Sequence, residues 1–202
     1  MVLEQLARRG IRDSDVLRAM VSIPRESFVP PALMDHAYDD SALPIGDEQT
    51  ISQPWIVARM AEAARLAWGD RVLDVGTGSG YAAAVYAQLA SVVYTVERCE
   101  RLYRRAQAVL DGLGYDNIQC ALGDGSLGLV NAAPFDAILV AAADDVVPDA
   151  LIEQLAIGGR LVAPVGDARG QKLVRIERLG RQRYAREELA DVRFVPLRHG
   201  LV

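Results

Sequence analysis

From Arg71 onward the chain keeps one rhythm: a short apolar run, a turn, a helical stretch, then another short apolar run. The runs are Arg71–Val75, Val92–Val96, Asn117–Leu122, Phe135–Val140 and Gly159–Ala163, each too short for a helix and bounded by turn residues. Helical spacing fills the gaps, from the glycine turn through about Leu89, from Arg98 to Leu110 and from Pro148 to Leu155. Strands separated by helices cannot pair through a tight turn, so they line up parallel and are covered on both faces. Lys172–Arg178 and Asp191–Val195 lack an intervening helix, and the turn-like Leu179-Gly180 between them predicts an antiparallel edge.

The expected fold is therefore α/β: a Rossmann-like, doubly wound, mostly parallel seven-stranded sheet with an antiparallel C-terminal edge. Residues before it read differently. Leu3, Leu6, Ile11, Val16, Leu17 and Met20 keep helical spacing, as do the residues from Trp55 to Trp68. Between them Pro24, Pro30, Pro31, Pro44 and Pro54 deny the backbone donors and fix φ, which predicts an irregular segment. So long an irregular stretch is expected to serve as a cap over a site. The expected organisation is one domain over residues 1–202, with an N-terminal helical and irregular cap and substrate-side segment (1–70) and a ligand-binding sheet (71–202).

Composition narrows the classes. With 51% hydrophobic and 24% charged residues, the chain of 202 residues has enough apolar material for a sizeable core. A net charge of −5 and no Lys/Arg block give no footprint for a phosphate backbone, so no nucleic-acid partner is expected. Arg101, Arg104 and Arg105, with Glu97 and Glu100 nearby, read as a solvated helix face. Cys99 and Cys120 have no framework spacing, no secretory signal opens the chain, and no apolar run is long enough to span a bilayer. A cytoplasmic monomer with no membrane partner is the expectation. His36 and His199 keep no ligand spacing with the cysteines, so no metal site is expected.

The most informative stretch is Val72-Leu73-Asp74-Val75-Gly76-Thr77-Gly78-Ser79-Gly80-Tyr81. Its alternating glycines leave a strand and enter a helix, where a backbone without Cβ atoms admits a ligand closely. The third glycine comes one position too early for the dinucleotide pattern Gly-x-Gly-x-x-Gly. Asp74 would repel a pyrophosphate and favour an ammonium group. Glu97 ends the second strand, where a carboxylate can accept from two ribose hydroxyls, and Asp124-Gly125 follows the third, where an acid can accept from an exocyclic amine. Acids at three successive strand ends suit an uncharged nucleoside carrying an amino acid, which points to S-adenosyl-L-methionine. Gly76, Thr77, Gly78, Ser79 and Gly80 would form the turn around it. Taken singly, Asp74 reads equally as a helix cap, Glu97 as a surface charge and Asp124-Gly125 as a plain turn.

Several further motifs resemble one family, the protein-L-isoaspartate (D-aspartate) O-methyltransferases, which are class I S-adenosylmethionine-dependent methyltransferases. They are Ile23–Val29, Ala42–Gly46, Gln49–Pro54, Val57–Met60, Val96–Arg98, Gly123–Gly125, Pro134–Ile138, Gly158–Gly166 and Arg193–Leu197, together with the glycine turn. The resemblance covers nearly the whole chain, and Thr50-Ile51-Ser52 is its most specific part. It implies methyl transfer to the free carboxylate of L-isoaspartyl residues in damaged proteins and peptides, followed by succinimide closure and partial repair. It also implies a catalytic role for Ser52, with Thr50, Ile51, Ala142 and Ala143 on the substrate side and Asp74, Gly76, Gly78, Glu97 and Asp124 on the cofactor.

On residue chemistry alone, Ser52 before Pro54 also reads as a helix cap. Tyr81 follows the glycine turn closely enough to brush a cofactor, while Trp55, Trp68 and Tyr86 read as core or cap residues. One departure stands out: where the family reads Ala-Ala-Pro after the fourth strand, this chain has Ala141-Ala142-Ala143-Asp144. Facing inward, Asp144 would repel an anionic substrate; facing solvent or capping the next helix, it would not. The alternatives are therefore a relative that esterifies a different carboxylate in a dedicated peptide, or an inactive cofactor-binding homologue.

Overall fold

A computed structural model describes residues 1–202. Its main sheet contains β3 (Arg71–Val75), β4 (Val92–Glu97), β5 (Ile118–Leu122), β6 (Phe135–Val140), β7 (Leu155–Asp167), β8 (Gly170–Gly180) and β9 (Arg183–Val192). The strand order is β5-β4-β3-β6-β7-β8-β9, parallel from β5 to β7 and antiparallel across β7–β8 and β8–β9. The chain builds outward from β3 to β5, then returns to the other side of β3 with β6. Order therefore reverses between β3 and β6, and a crevice opens at their carboxyl ends.

The burial of these strands explains their composition. Val72, Leu73, Ala137, Ile138 and Leu139 have no exposed surface, as a parallel strand covered on both faces requires. Each buried side chain of the Leu or Ile size contributes about 1.5–3 kcal/mol through the water it sheds. The covering helices are α2 (Pro54–Ala64), α3 (Tyr81–Ala87), α4 (Glu100–Gly112) and the short α5 (Asp149–Glu153). Buried Ala83, Ala84 and Ala87 let α3 lie close on the sheet.

The edge departs from the sequence expectation. The last strand covers Arg183–Val192, and the turn lies at Arg181-Gln182 rather than at Leu179-Gly180. This strand is exposed along most of its length and carries Arg183, Arg186, Glu187 and Glu188, so it shows no apolar alternation to read. Most of the apolar run to Val195 lies beyond the strand and serves another purpose, described below.

The N-terminal region also differs. The single helix expected over Leu3 to Met20 is broken: a short helical turn spans Val2–Leu6, and α1 spans Ser14–Ser22. Gly10 stands in the left-handed region (φ 98), and the Asp13 side chain caps α1 by accepting from the amides of Asp15 (2.9 Å) and Val16 (3.2 Å). α2 ends at Ala64 because Arg65 takes a left-handed conformation (φ 51), which leaves Trp68 exposed. Inside the proline-rich stretch lies an unexpected antiparallel hairpin, β1 (Leu43–Gly46) with β2 (Gln49–Ile51). Leu6, Val16, Phe28 and Ile51 join the same apolar cluster as Val72 and Leu139, so this region packs directly on the sheet.

Candidate active site

A cavity of about 1090 Å³ opens over the carboxyl ends of β3, β4 and β6. Its floor is the glycine turn. Gly76 (φ 97) and Gly78 (φ 54) take backbone conformations that L side chains rarely adopt, and a Cβ on Gly78 would touch Ile45 of the hairpin at 3.4 Å. The turn's amides are spent inside the protein: those of Gly76 (2.9 Å) and Thr77 (3.3 Å) donate to the Val96 carbonyl, and that of Gly78 donates to Glu97 Oε2 (2.9 Å). A phosphate-binding turn would aim such donors into the cavity. This one suits a ligand without phosphates.

Glu97 is nearly buried, and its Oε1 also accepts from the Cys99 amide (2.9 Å). Both oxygens are thereby fixed at the cavity wall, each retaining acceptor capacity. Gly125 lines the same wall. Gly76, Thr77, Gly78 and Ser79 line the floor, with Ala142 beside them. Thr50, Ile51 and Ser52 enter from the hairpin side. The N-cap of α2 is Gln53, with no side-chain cap bond, so Ser52 is not the helix cap that its spacing allowed. Its residue faces the cavity instead.

Four expected site residues lie elsewhere. Asp74 sits beneath the floor, 1% exposed and outside the lining, because its strand position points into the sheet's covered face. Its Oδ2 accepts from Thr95 Oγ (2.8 Å), while Oδ1 is buried with no partner. Burial pushes its pKa up to about 7, the Thr95 bond opposes that rise, and nearby Glu97 adds to it. Gly80 turns toward α4, where a Cβ would meet Leu110 at 3.3 Å; it is a packing glycine. Asp124 is used by the protein itself: Oδ1 accepts from Ser126 N–H (3.0 Å) and Ser126 O–H (2.7 Å), and Oδ2 accepts from Gly200 N–H (2.7 Å). Burial raises its pKa, but these bonds outweigh it and hold the group below the ordinary range. Ala143 is buried outside the cavity and acts through its backbone, donating to Val195 O (2.8 Å) and accepting from Leu197 N–H (2.7 Å).

That backbone pairing explains the apolar run past β9. Arg193–Leu197 runs beside Ala143 as a cavity wall, held also by Gln171, which accepts from Phe194 N–H (2.6 Å) and donates to its carbonyl (3.2 Å). Asp144 does not line the cavity; its Oδ1 accepts from the Asp145 amide (2.8 Å). The following residues fold over the adjacent wall, where Arg98 donates to the carbonyls of Gly200 (2.7 Å) and His199 (3.2 Å).

The roof gives the exposed arginine face a second use. Arg104 pairs with Glu100 on the surface of α4, but Arg101 pairs with Asp47 and Arg105 donates to the Ile45 carbonyl (3.1 Å). Arg101 and Arg105 are exposed, as the sequence expects, and also hold the β1–β2 hairpin over the cavity. Sequence reading also missed Arg25, which has no exposed surface, stacks on Tyr81 at 4.5 Å and donates to the carbonyls of Ala37 (2.7 Å) and Ser52 (2.8 Å). An arginine among Ile23, Phe28 and Val29 was the available signal. Tyr81 itself is 1% exposed and touches the cavity from below.

Comparison with known proteins gives the family. The family model for protein-L-isoaspartate(D-aspartate) O-methyltransferase (PCMT) matches residues 1–201. This chain belongs to the PCMT family. It is 56% identical over 198 residues to Protein-L-isoaspartate O-methyltransferase 1 of Rhodopseudomonas palustris (strain HaA2), covering 98% of this chain and 81% of that one. It is 53% identical to Protein-L-isoaspartate O-methyltransferase 2 of Pelobacter propionicus, over 98% of this chain and 88% of that one. A solved protein-L-isoaspartate O-methyltransferase superposes with a TM-score of 0.88 at 28% identity, over 100% of this chain and 67% of that one. A Plasmodium falciparum PCMT, solved in complex with S-adenosyl-L-homocysteine, superposes at 0.84 and 28% identity, over 98% of this chain and 96% of that one. The PCMT fold thus accounts for the sheet, its antiparallel edge and the cap, and the family is one of S-adenosylmethionine-dependent carboxyl methyltransferases.

Proposed function

We propose that this PCMT-family chain methylates the free carboxylate of L-isoaspartyl residues in damaged proteins and peptides, with Ser52 as the catalytic residue. The observation that carries the reading is the meeting of Ser52, the glycine turn and Glu97 in one cavity, although they are far apart in sequence. S-adenosylmethionine, once bound, supplies a methyl on a sulfonium that departs as a neutral thioether. Gly76, Thr77, Gly78 and Ser79 would cradle it, and Glu97 would accept from its ribose hydroxyls. Asp74 and Asp124 would act from outside the cavity, and Gly125 would close the wall.

The chain's own work is positional. A carboxylate with a pKa near 4 is already ionised at neutral pH, so no general base is needed. Ser52, held through its carbonyl by Arg25, donates its hydroxyl to one carboxylate oxygen and aims the other. Thr50, Ile51 and the Ala142 wall bound the substrate side, and Ala143 supports that wall by its backbone. Apolar Ile51 and Val57 exclude water, which would otherwise solvate the attacking oxygen. Alignment of this kind contributes on the order of 7–11 kcal/mol in well-oriented pairs. Asp144, turned to the Asp145 amide, gives no support to a different carboxylate acceptor.

No helix is long and apolar enough to cross a membrane. The net charge of −5 supports the absence of a nucleic-acid partner, and we further propose a cytoplasmic monomer acting on isoaspartyl peptides without a membrane partner. Two peptides differing only in an aspartyl or isoaspartyl linkage test the activity. Base-labile methyl label on the isoaspartyl peptide alone supports it. Label on neither, with cofactor bound, overturns it.

A further inference from the structure

Thr95 is a polar residue inside β4, between Tyr94 and the buried Val96, and itself without exposed surface. Its hydroxyl carries one hydrogen, which it donates to Asp74 Oδ2 at 2.8 Å. Its oxygen lies 2.6 Å from the Thr77 hydroxyl, a hydrogen-bond distance at which either atom can donate. An ionised carboxylate can only accept, so Thr95 has no hydrogen left for Thr77. Thr77 must then donate to Thr95. Thr77 belongs to the cavity lining with 3% of its surface exposed, and in this state its hydroxyl keeps only lone pairs for any further partner.

We propose that Thr95 is a positioning residue that passes the negative charge of buried Asp74 to Thr77, fixing Thr77 as an acceptor for the ammonium end of the cofactor. The chain gives Asp74 a role despite its place outside the cavity. Burying an acid costs stability, and the chain gives this one a function through Oδ2. Were Asp74 protonated, its proton could run the chain in reverse and present a donor to the ammonium. The cation above the floor favours the ionised form, and burial, which pushes the group up to about 7, leaves that preference to be decided by the ligand.

The inference rests on the cavity taking S-adenosylmethionine, so the test uses two nucleosides that share the adenosine and differ at the other end. S-adenosyl-L-homocysteine carries the ammonium; 5′-methylthioadenosine does not. Binding of each is measured by calorimetry on the full chain, with thermal melting as a check of folding. Thr95→Val, close in shape, is expected to weaken S-adenosyl-L-homocysteine about tenfold, as loss of one charge-assisted bond would, and leave 5′-methylthioadenosine unchanged. Thr95→Ser restores the hydroxyl and is expected to recover the affinity. Thr77→Val breaks the chain at its outer member and is expected to show the same selective loss.

An equal loss for both nucleosides, or none for either, in Thr95→Val and Thr77→Val would overturn the proposal, leaving Thr95 a packing residue. Failure of the unaltered protein to bind S-adenosyl-L-homocysteine at all would instead count against the cofactor reading on which the inference stands.

Discussion

The guanidinium of Arg25 donates to the backbone carbonyl of Ser52 at 2.8 Å, across 27 residues of chain. The same side chain donates to Ala37 and lies over the Tyr81 ring, so one buried cation ties the cap, the serine loop and the helix after the glycine turn together. Burial lowers its pKa, and the Tyr81 contact works against that. Arg25→Met keeps the bulk and removes the donors. Each buried carbonyl left unpaired costs roughly 1–3 kcal/mol. We expect a lower melting temperature and a fall in kcat larger than any change in cofactor affinity, read by thermal melting and steady-state kinetics. A kcat equal to that of the unaltered enzyme would show that Ser52 holds its place without Arg25.

Ser52→Ala separates chemistry from binding. The hydroxyl lies on a loop that caps no helix, so its removal leaves α2 intact. Loss of carboxylate alignment is expected to lower the rate on the order of 10²-fold. The calorimetric affinity for S-adenosyl-L-homocysteine should stay the same. A variant with full turnover would remove Ser52 from the mechanism.

Asp74 gives the unliganded protein a definite pH dependence. Its pKa stands at about 7 in the folded chain, and an unfolded aspartate titrates near 3.9. Between these values the folded state binds more protons than the unfolded one, so stability falls as pH rises from about 4 to about 7 and levels off above. Thr95 and Glu97 face the group, and the shifts of Tyr86 and Cys120 also register its charge. Asp74→Asn is expected to remove this slope, measured as the difference between the two proteins in urea denaturation across that range. In the unaltered protein, cofactor affinity should strengthen through about pH 7 as the acid ionises. A slope identical in both proteins would rule out Asp74 as its source.

Gly125 is required by space rather than by backbone freedom. A Cβ there would stand 2.6 Å from Val75 Cγ1 and 3.3 Å from Val96 Cγ1, and both valines are held in the sheet. Overpacking of this kind costs about 1–3 kcal/mol. Gly125→Ala should lower the melting temperature and, because Gly125 lines the cavity, weaken the nucleoside. Unchanged melting would mean that the sheet yields more easily than its packing implies.

The sheet, its parallel centre, the place of the glycine turn and the family are legible in the residues alone, since each is written in local signals. Apolar runs such as Phe135–Val140 have one satisfactory environment, and Gly76-Thr77-Gly78 has few uses between a strand and a helix. What local signals could not carry was direction and partnership. Asp74 looks like a ligand residue and lies under the floor; Asp124 looks like an acceptor for an exocyclic amine and is bound by Gly200; Arg101 is solvated as its spacing suggests, yet it also holds a hairpin. The antiparallel edge is legible, but its last strand reads as Asp191–Val195 rather than Arg183–Val192, because an exposed edge strand owes its existence to β8 rather than to its own composition. Arg25 and Ser52, or Thr95 and Asp74, acquire their roles only when packing brings them within hydrogen-bond reach. The physical reason is that burial and periodicity are properties of a segment, whereas hydrogen-bond partners are chosen by the whole fold, which must satisfy each buried polar group with whatever the tertiary structure places beside it.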